Sequence, residues 1–411
     1  KMKKVWLMVI VTILTSITCT IAFLKIPPTM VLIMEAFGVS LTVVGLTMTV
    51  ATIAQVTVSL PFGIVAAKID PKKSMYIVLL LGFLGGVIGA LSANYNILLV
   101  GRILDGACFG MASIVGPQII TMLFPPEKRG LPMGIFSIWV PLGMLTIFNL
   151  ANPIAEAYSW RGVWWFSSIV IIALAIIFIL VFRSPPNANG EGSSQSMVQA
   201  EQGYKSFILT AFKSRAIWNI AFSFFFFSFL YAVLNNYYST YLVQEVGLEL
   251  GTANKIYTFS IIGMAIGGII TGTILNKVNR NNHAVLLTIS LVLIAFCAFF
   301  QFQVKSPSLL IPFLLIAGFI YMSSFPIVFT LGSSFAKRPE EVGPIMGIIN
   351  FSNGVAGVIS PLVVGPLVAA FGGWSGLSVP LSLIAVLAVI GSLVFQKNYK
   401  QKLAIANEIS Q

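Results

Sequence analysis

SPPNANGEGSSQSMVQAEQGYKSFILTAFK, residues 184–213, is the longest polar interruption in a chain of 411 residues that is 57% hydrophobic and only 9% charged. Its Ser, Gly, Asn and Gln content reads as a linker. The sequence on either side is apolar enough to give a mean hydropathy of +0.96. No water-soluble domain of this length has that composition, so the solvent for most of the chain is a bilayer. Crossing a hydrocarbon core of about 30 Å takes roughly 20 helical residues. Apolar runs of that length lie at 5–34, 40–66, 74–93, 96–124, 129–156 and 160–183 before the linker, and at 214–243, 250–276, 284–304, 307–333, 342–371 and 375–396 after it. The runs are continuously apolar, whereas barrel strands alternate over about ten residues. The expected fold is an all-α membrane protein of twelve transmembrane helices in two pseudo-symmetric six-helix bundles. Its expected divisions are 1–183, the cytoplasmic linker 184–213, 214–396, and a cytoplasmic tail 397–411.

The basic residues orient these spans. With the N-terminus in the cytoplasm, Lys1, Lys3, Lys4, Lys68, Lys72, Lys73, Lys128, Arg129, Arg183, Lys205, Lys213, Arg215, Lys277, Arg280, Lys337, Arg338, Lys397, Lys400 and Lys402 fall inside, and Arg161, Lys255 and Lys305 fall outside. Such an asymmetry obeys the positive-inside rule. It also accounts for the net charge of +12 without a nucleic-acid partner. A multi-pass protein of the plasma membrane, the bacterial inner membrane, with both termini cytoplasmic, is the expectation, and a monomer. Cys19, Cys108 and Cys297 lie within spans, with neither metal-site spacing nor a disulfide framework, and read as packing residues. The first apolar run is too long for a cleavable signal peptide and lacks a small-residue cleavage site.

The two halves repeat each other. EAFG ending at Gly38 matches EVG ending at Gly247, RGLPMGI at 129–135 matches VGPIMGI at 342–348, and SWRG at 159–162 matches GWSG at 373–376, with offsets of 209 to 214 residues. A parallel duplication of this kind implies a pseudo-two-fold axis along the membrane normal and a pathway between the halves. Twelve spans in two halves, a charged connection after the second span, GRILDG at 101–106 and FPPEKRG at 124–130 resemble the major facilitator superfamily over essentially the whole chain. The family's loop between spans 2 and 3 is represented by GIVAAKIDPKK, where Gly63, Lys68 and Lys72 fit. Ala67 stands at the usual Asp position, Asp70 at the usual Gly position and Pro71 at the first basic position of the closing pair. The second copy, GTILNKVNR, keeps Gly272, Lys277 and Arg280 and has Asn276 in place of Asp. In span 4, Arg102 and Gly106 align, with Asp105 where Gln is common. GIFSIWVPLG in span 5 lacks the Gly-Pro-rich signature of drug/proton antiporters, and KIPP followed by SLTVVGL is similar to members grouped with cyanate and nitrate permeases.

Only Lys25, Arg102 and Asp105 place formal charges clearly within spans. Each costs about 2.5–3.5 kcal/mol at a helix centre and needs a partner or a wet cavity. Arg102 and Asp105 are spaced i,i+3 on one helix face. They are either a structural pair or a coupling site in which Asp105 carries a proton. Lys25 stands within FLKIPPTM, residues 23–30, where Pro27 and Pro28 remove two backbone donors and free carbonyls. It either snorkels to the headgroups or, as the repeat favours, contacts the charge of a substrate. The repeat carries Lys25 onto Asn235 of NNYYSTY, so both halves interrupt their first span with polar residues at matching depth. A cation without a counter-charge in such a cavity attracts an anion.

Asn236, Tyr237 and Tyr238 join Asn235 as candidate binding residues, with Gln55, Trp139 and Asn353 at similar depth in other spans. Ser323, Ser324 and Asn350 share that depth, and each of these polar residues can equally serve as an interhelical hydrogen bond. The lone His283 falls in a cytoplasmic loop. No nucleophile-base-acid set, phosphate-cradling GxxxxGK[ST] or metal-ligand cluster occurs, so neither an enzyme nor an ATP-driven pump is expected, and no cofactor. The expected function is secondary active transport of a small organic or inorganic anion by alternating access, coupled to an ion gradient as in a symporter. The alternative is a proton-coupled multidrug or hydrophobic-compound exporter. A receptor or scaffold would predict an appended soluble domain.

Overall fold

The computed structural model describes residues 2–66, 69–124, 132, 135–136, 138–182, 214–335 and 342–409. The expected linker 184–213, Lys68, the PPEKRG segment and Lys337–Arg338 lie outside the described residues. Among those described there is no strand. The helices are α1 (Met2–Leu24), α2 (Met30–Phe37), α3 (Leu41–Ala66), α4 (Pro71–Ala90), α5 (Tyr95–Leu123), α6 (Trp139–Val181), α7 (Arg215–Gln244), α8 (Leu250–Lys277), α9 (His283–Phe300), α10 (Pro307–Ser333), α11 (Val342–Ala370) and α12 (Ser378–Ile409). Eleven of them are long and apolar enough to cross a membrane.

The expected fifth and sixth spans, 129–156 and 160–183, are the two halves of α6, whose 43 residues would reach about 65 Å at 1.5 Å per residue, roughly twice the hydrocarbon thickness. Two helices meet there at a kink, where Ser159 takes φ 61° and ψ 172°. A Cβ on Gly162 would stand 2.6 Å from Tyr158 Cβ, so only glycine lets the second helix restart so tightly. Span 1 is likewise divided. α1 stops at Leu24, a 3₁₀ turn covers Pro27–Thr29, and α2 resumes at Met30. At the other end of the chain, α12 runs on to Ile409, through the segment expected as a tail.

The chain divides into two compact units, Lys1–Ser194 with Glu249–Lys255, and Gln195–Leu248 with Ile256–Gln411. In the first, α5 is central and packs on α1, α3 and α4, while α6 packs on α1 and α4. Asp70 caps α4, its carboxylate accepting from Lys72 N at 2.8 Å ahead of Pro71 at the first helical position. In the second, α7 packs on α10, α11 and α12, and α9 packs on α10 and α12.

Each unit contains the same backbone approach. A Cβ on Gly106 of α5 would lie 2.0 Å from the Ala51 carbonyl oxygen of α3, and a Cβ on Gly318 of α10 would lie 2.1 Å from that of Ser260 on α8. The pairs are related by the offset of the sequence repeat. So are the connectors SWRG and GWSG, which take positive φ at Ser159 (61°) and Gly373 (121°). In the second unit this connector is latched by Glu245, which accepts from Lys305 Nζ at 3.0 Å and Ser375 Oγ at 2.9 Å. The bond from Lys305 is the main reason the Glu245 carboxyl is held below the usual carboxylate range.

The close helix approach makes a first prediction. Gly106→Ala forces α3 and α5 apart against backbone and should cost about 1–3 kcal/mol. Gly347→Ala, in open space on α11, should be neutral or slightly stabilising. Melting of the two purified variants in detergent checks the contrast, and equal melting temperatures would remove the packing explanation.

Candidate functional site

The break in span 1 begins the site. An unbroken helix would pair Ala22 O with Ile26 N and Phe23 O with the nitrogen of residue 27, but Pro27 has no N–H to give. Both carbonyls are taken instead by one guanidinium: Arg102 Nη1 donates to Ala22 O at 3.0 Å and Nη2 to Phe23 O at 2.7 Å. Arg102 Nε donates to Thr47 O at 3.2 Å. A single side chain of α5 therefore ties the frayed end of α1 to α3. The planar fork of arginine suits several acceptors at once, which a lysine ammonium would not match.

Arg102 Nη1 also lies 2.8 Å from Asp105 Oδ2, the i,i+3 pair read from sequence. The same carboxylate receives Lys25. Its Nζ is 3.0 Å from Asp105 Oδ2 and 3.2 Å from Oδ1. Lys25 thus has a counter-charge, and the expectation of an uncompensated cation is corrected: the bend after Leu24 turns the ammonium onto α5. Nor does it reach the headgroups, since the Lys25 and Asp105 side chains have 0% exposure and Arg102 has 1%. Lys25 Nζ further donates to Ser167 Oγ at 3.5 Å and stands 5.0 Å from the Trp164 ring centroid, both on α6. Glycines make room for the cluster. A Cβ on Gly85 would press to 2.8 Å from Asp105 Oδ1, and one on Gly89 to 2.1 Å from the Trp164 ring.

The cluster holds two cations and one carboxylate, a formal surplus of one positive charge in a region without exposed surface. Unbalanced charge in a low dielectric is costly. An aromatic series extends from it. The Arg102 guanidinium lies 5.7 Å from the Phe23 ring. Phe23 stacks on Phe109 at 4.4 Å, Phe109 on Trp139 at 5.0 Å, and Trp139 on Phe136 at 5.6 Å. Trp139 is therefore linked to the charge cluster through two rings. Gln55 is half-buried on α3.

In the second unit the repeat places Asn235 as the counterpart of Lys25, Leu314 as that of Arg102 and Ala317 as that of Asp105, so the charges are not duplicated. Asn235 instead donates from Nδ2 to Tyr231 O at 2.7 Å and accepts at Oδ1 from the Tyr257 hydroxyl at 2.7 Å. Tyr237 donates to Pro361 O at 3.2 Å. Tyr238 is buried against Phe302, ring centroids 6.1 Å apart, and its hydroxyl has no hydrogen-bond partner among the described residues. Asn236 and Asn353 are half-buried, and Asn350 is exposed. Ser324 bonds Ser290 through their hydroxyls, while Ser323 donates to Ile320 O at 2.6 Å.

Sequence reasoning did not single out Trp164, Ser167 or Tyr257. Trp164 carried a signal, because an aromatic opposite a glycine-lined helix needs that helix to be bare.

Residues 6–361 match the family profile of the Major Facilitator Superfamily. The chain is 25% identical over 346 residues to a hexuronate transporter of Bacillus subtilis, covering 80% of each protein. It is 21% identical over 376 residues to a probable sulfoacetate transporter of Cupriavidus necator, covering 88% of this chain and 86% of that one. Its fold is similar to the crystal structure of a bacterial homolog of the human lysosomal transporter Spinster, with a TM-score of 0.79, 14% identity and 98% of both chains covered.

Proposed function

The chain belongs to the Major Facilitator Superfamily, and on that premise we propose that it carries a small organic or inorganic anion across the plasma membrane by alternating access, coupled to an ion gradient. The observation that carries this reading is the surplus positive charge of the Lys25, Asp105 and Arg102 cluster. An anion bound nearby supplies the missing negative charge. At about 6 Å and an effective dielectric of 20, that attraction is worth about 3 kcal/mol, roughly a hundredfold in affinity. Two relatives named for anionic substrates, a hexuronate and sulfoacetate, point to the same class.

In this reading Lys25 contributes the charge that attracts the substrate. Asp105 and Arg102 hold it in place, and the further candidate binding residues are Trp139 and Gln55 in the first unit and Asn235, Asn236, Tyr237, Tyr238 and Asn353 in the second. The exporter alternative needs a carboxylate free to carry a proton, and Asp105 already has a cation on each oxygen. The same proposal has both termini in the cytoplasm, a bacterial inner membrane as the host, and a monomer as the working unit.

Uptake by purified protein in liposomes tests the class. With labelled glucuronate, sulfoacetate, glucose and a lipophilic cation supplied in parallel, at least one anion should accumulate about tenfold above glucose and the cation. Movement of only the neutral or cationic compounds would refute the anion assignment.

A further inference from the structure

The second unit carries a groove of about 500 Å³ between α7, α11 and α12. Trp218, Phe222 and Phe225 line one side, Phe351 another, and Ile390 and Val394 the third. Trp218 is 40% exposed, Phe351 54% and Val394 47%, an apolar opening that in a membrane-spanning chain meets acyl chains. Gly391 forms part of the wall, and a Cβ there would press to 2.8 Å from the Phe222 ring.

Charge is added at one end. Arg215 is exposed and opens α7, three residues before Trp218 and seven before Phe222, so it shares their helix stripe. Lys397 is exposed on α12, three residues after Val394 and seven after Ile390, and shares theirs. Both lie on the side that the positive-inside pattern assigns to the cytoplasm. No carboxylate occurs within α7 or α11, and the first on α12 is Glu408, eleven residues past Lys397.

The order along α7 follows the layers of a lipid. Arg215 comes first, then Trp218 and Asn219 at the interface, then Phe222 and Phe225 in the groove. Arg215 to Phe225 spans about 15 Å of helix, the hydrocarbon thickness of one leaflet.

We infer that this groove is a binding site for an anionic phospholipid of the cytoplasmic leaflet. The phosphate sits between Arg215 and Lys397, the Asn219 amide meets the ester carbonyls, and one acyl chain lies along Phe222, Phe351 and Ile390. Juxtamembrane cations of this kind each strengthen attraction to anionic headgroups about fivefold. Two together give roughly a thirtyfold preference over a zwitterionic lipid with the same chains.

Delipidated full-length protein in detergent, titrated with dioleoyl phosphatidylglycerol or dioleoyl phosphatidylcholine and read by native mass spectrometry, tests this. Phosphatidylglycerol should bind about thirtyfold more tightly. The Arg215→Gln/Lys397→Gln variant should bring it to the phosphatidylcholine level with an unchanged melting temperature. Val394→Trp, which fills the groove, should weaken both lipids while leaving their ratio intact. Equal binding of the two lipids by wild type would overturn the proposal, as would an unaffected double variant. Full binding by a folded Val394→Trp protein would overturn it by reducing the attraction to headgroup charge alone. Replacement of the lipid adduct by a protein dimer would overturn it in favour of a second copy.

Discussion

Asp105→Asn should be among the most destabilising single substitutions in this chain. It removes the only carboxylate of the buried cluster and leaves Lys25 and Arg102, 0% and 1% exposed, as neighbouring cations without a counter-charge. Removing one partner of a buried ion pair costs about 3–5 kcal/mol. For a unit of this size the expected loss in melting temperature is roughly 6–20 °C. The signature of the mechanism is its reversal. Adding Lys25→Met to Asp105→Asn takes away one of the two orphaned cations, and Arg102 keeps the carbonyls of Ala22, Phe23 and Thr47. The double variant should therefore melt above the Asp105→Asn single variant, although it carries one more change. Additive losses would mean that Lys25 and Asp105 are not energetically coupled.

The architecture was largely legible because membrane physics leaves few alternatives. Apolar runs of spanning length must be helical. What the sequence pattern missed was local. Hydropathy divides the fifth and sixth spans at 157–159, where Ser159 takes its positive φ, but does not register where α1 stops relative to Lys25. The Arg102 and Asp105 pair was readable because i,i+3 spacing is a property of one helix. The contact between Lys25 and Asp105 was not, since it joins residues 80 apart in sequence and depends on how closely α1, α4 and α5 approach. Gly85 and Gly101 permit that closeness, since a Cβ on Gly101 would lie 2.8 Å from the Gly85 carbonyl oxygen. The aromatic link from Phe23 to Trp139 has the same character, because stacking partners are selected by packing. In the second unit, the sequence repeat led to Asn235 but held no sign that Tyr257 donates to it.

The larger transport effect is expected at Lys25. Lys25→Met exchanges the ammonium for an apolar chain of similar length and takes the cluster from a surplus of one positive charge to neutrality. Asp105 keeps Arg102 at 2.8 Å, so the protein should still fold. An anion approaching the neutral cluster loses the attraction of the surplus charge, about 3 kcal/mol under the same assumptions of distance and dielectric. The expected result is a KM for the anion raised roughly a hundredfold, with any transported neutral compound unaffected. Lys25→Arg, which keeps the charge, should recover part of the loss.

The most direct measurement is initial-rate uptake of the best anion found for wild type, in liposomes containing matched amounts of folded wild-type, Lys25→Met and Lys25→Arg protein. KM should rise roughly a hundredfold for Lys25→Met and recover in part for Lys25→Arg. Anion uptake by folded Lys25→Met protein with the wild-type KM would contradict it.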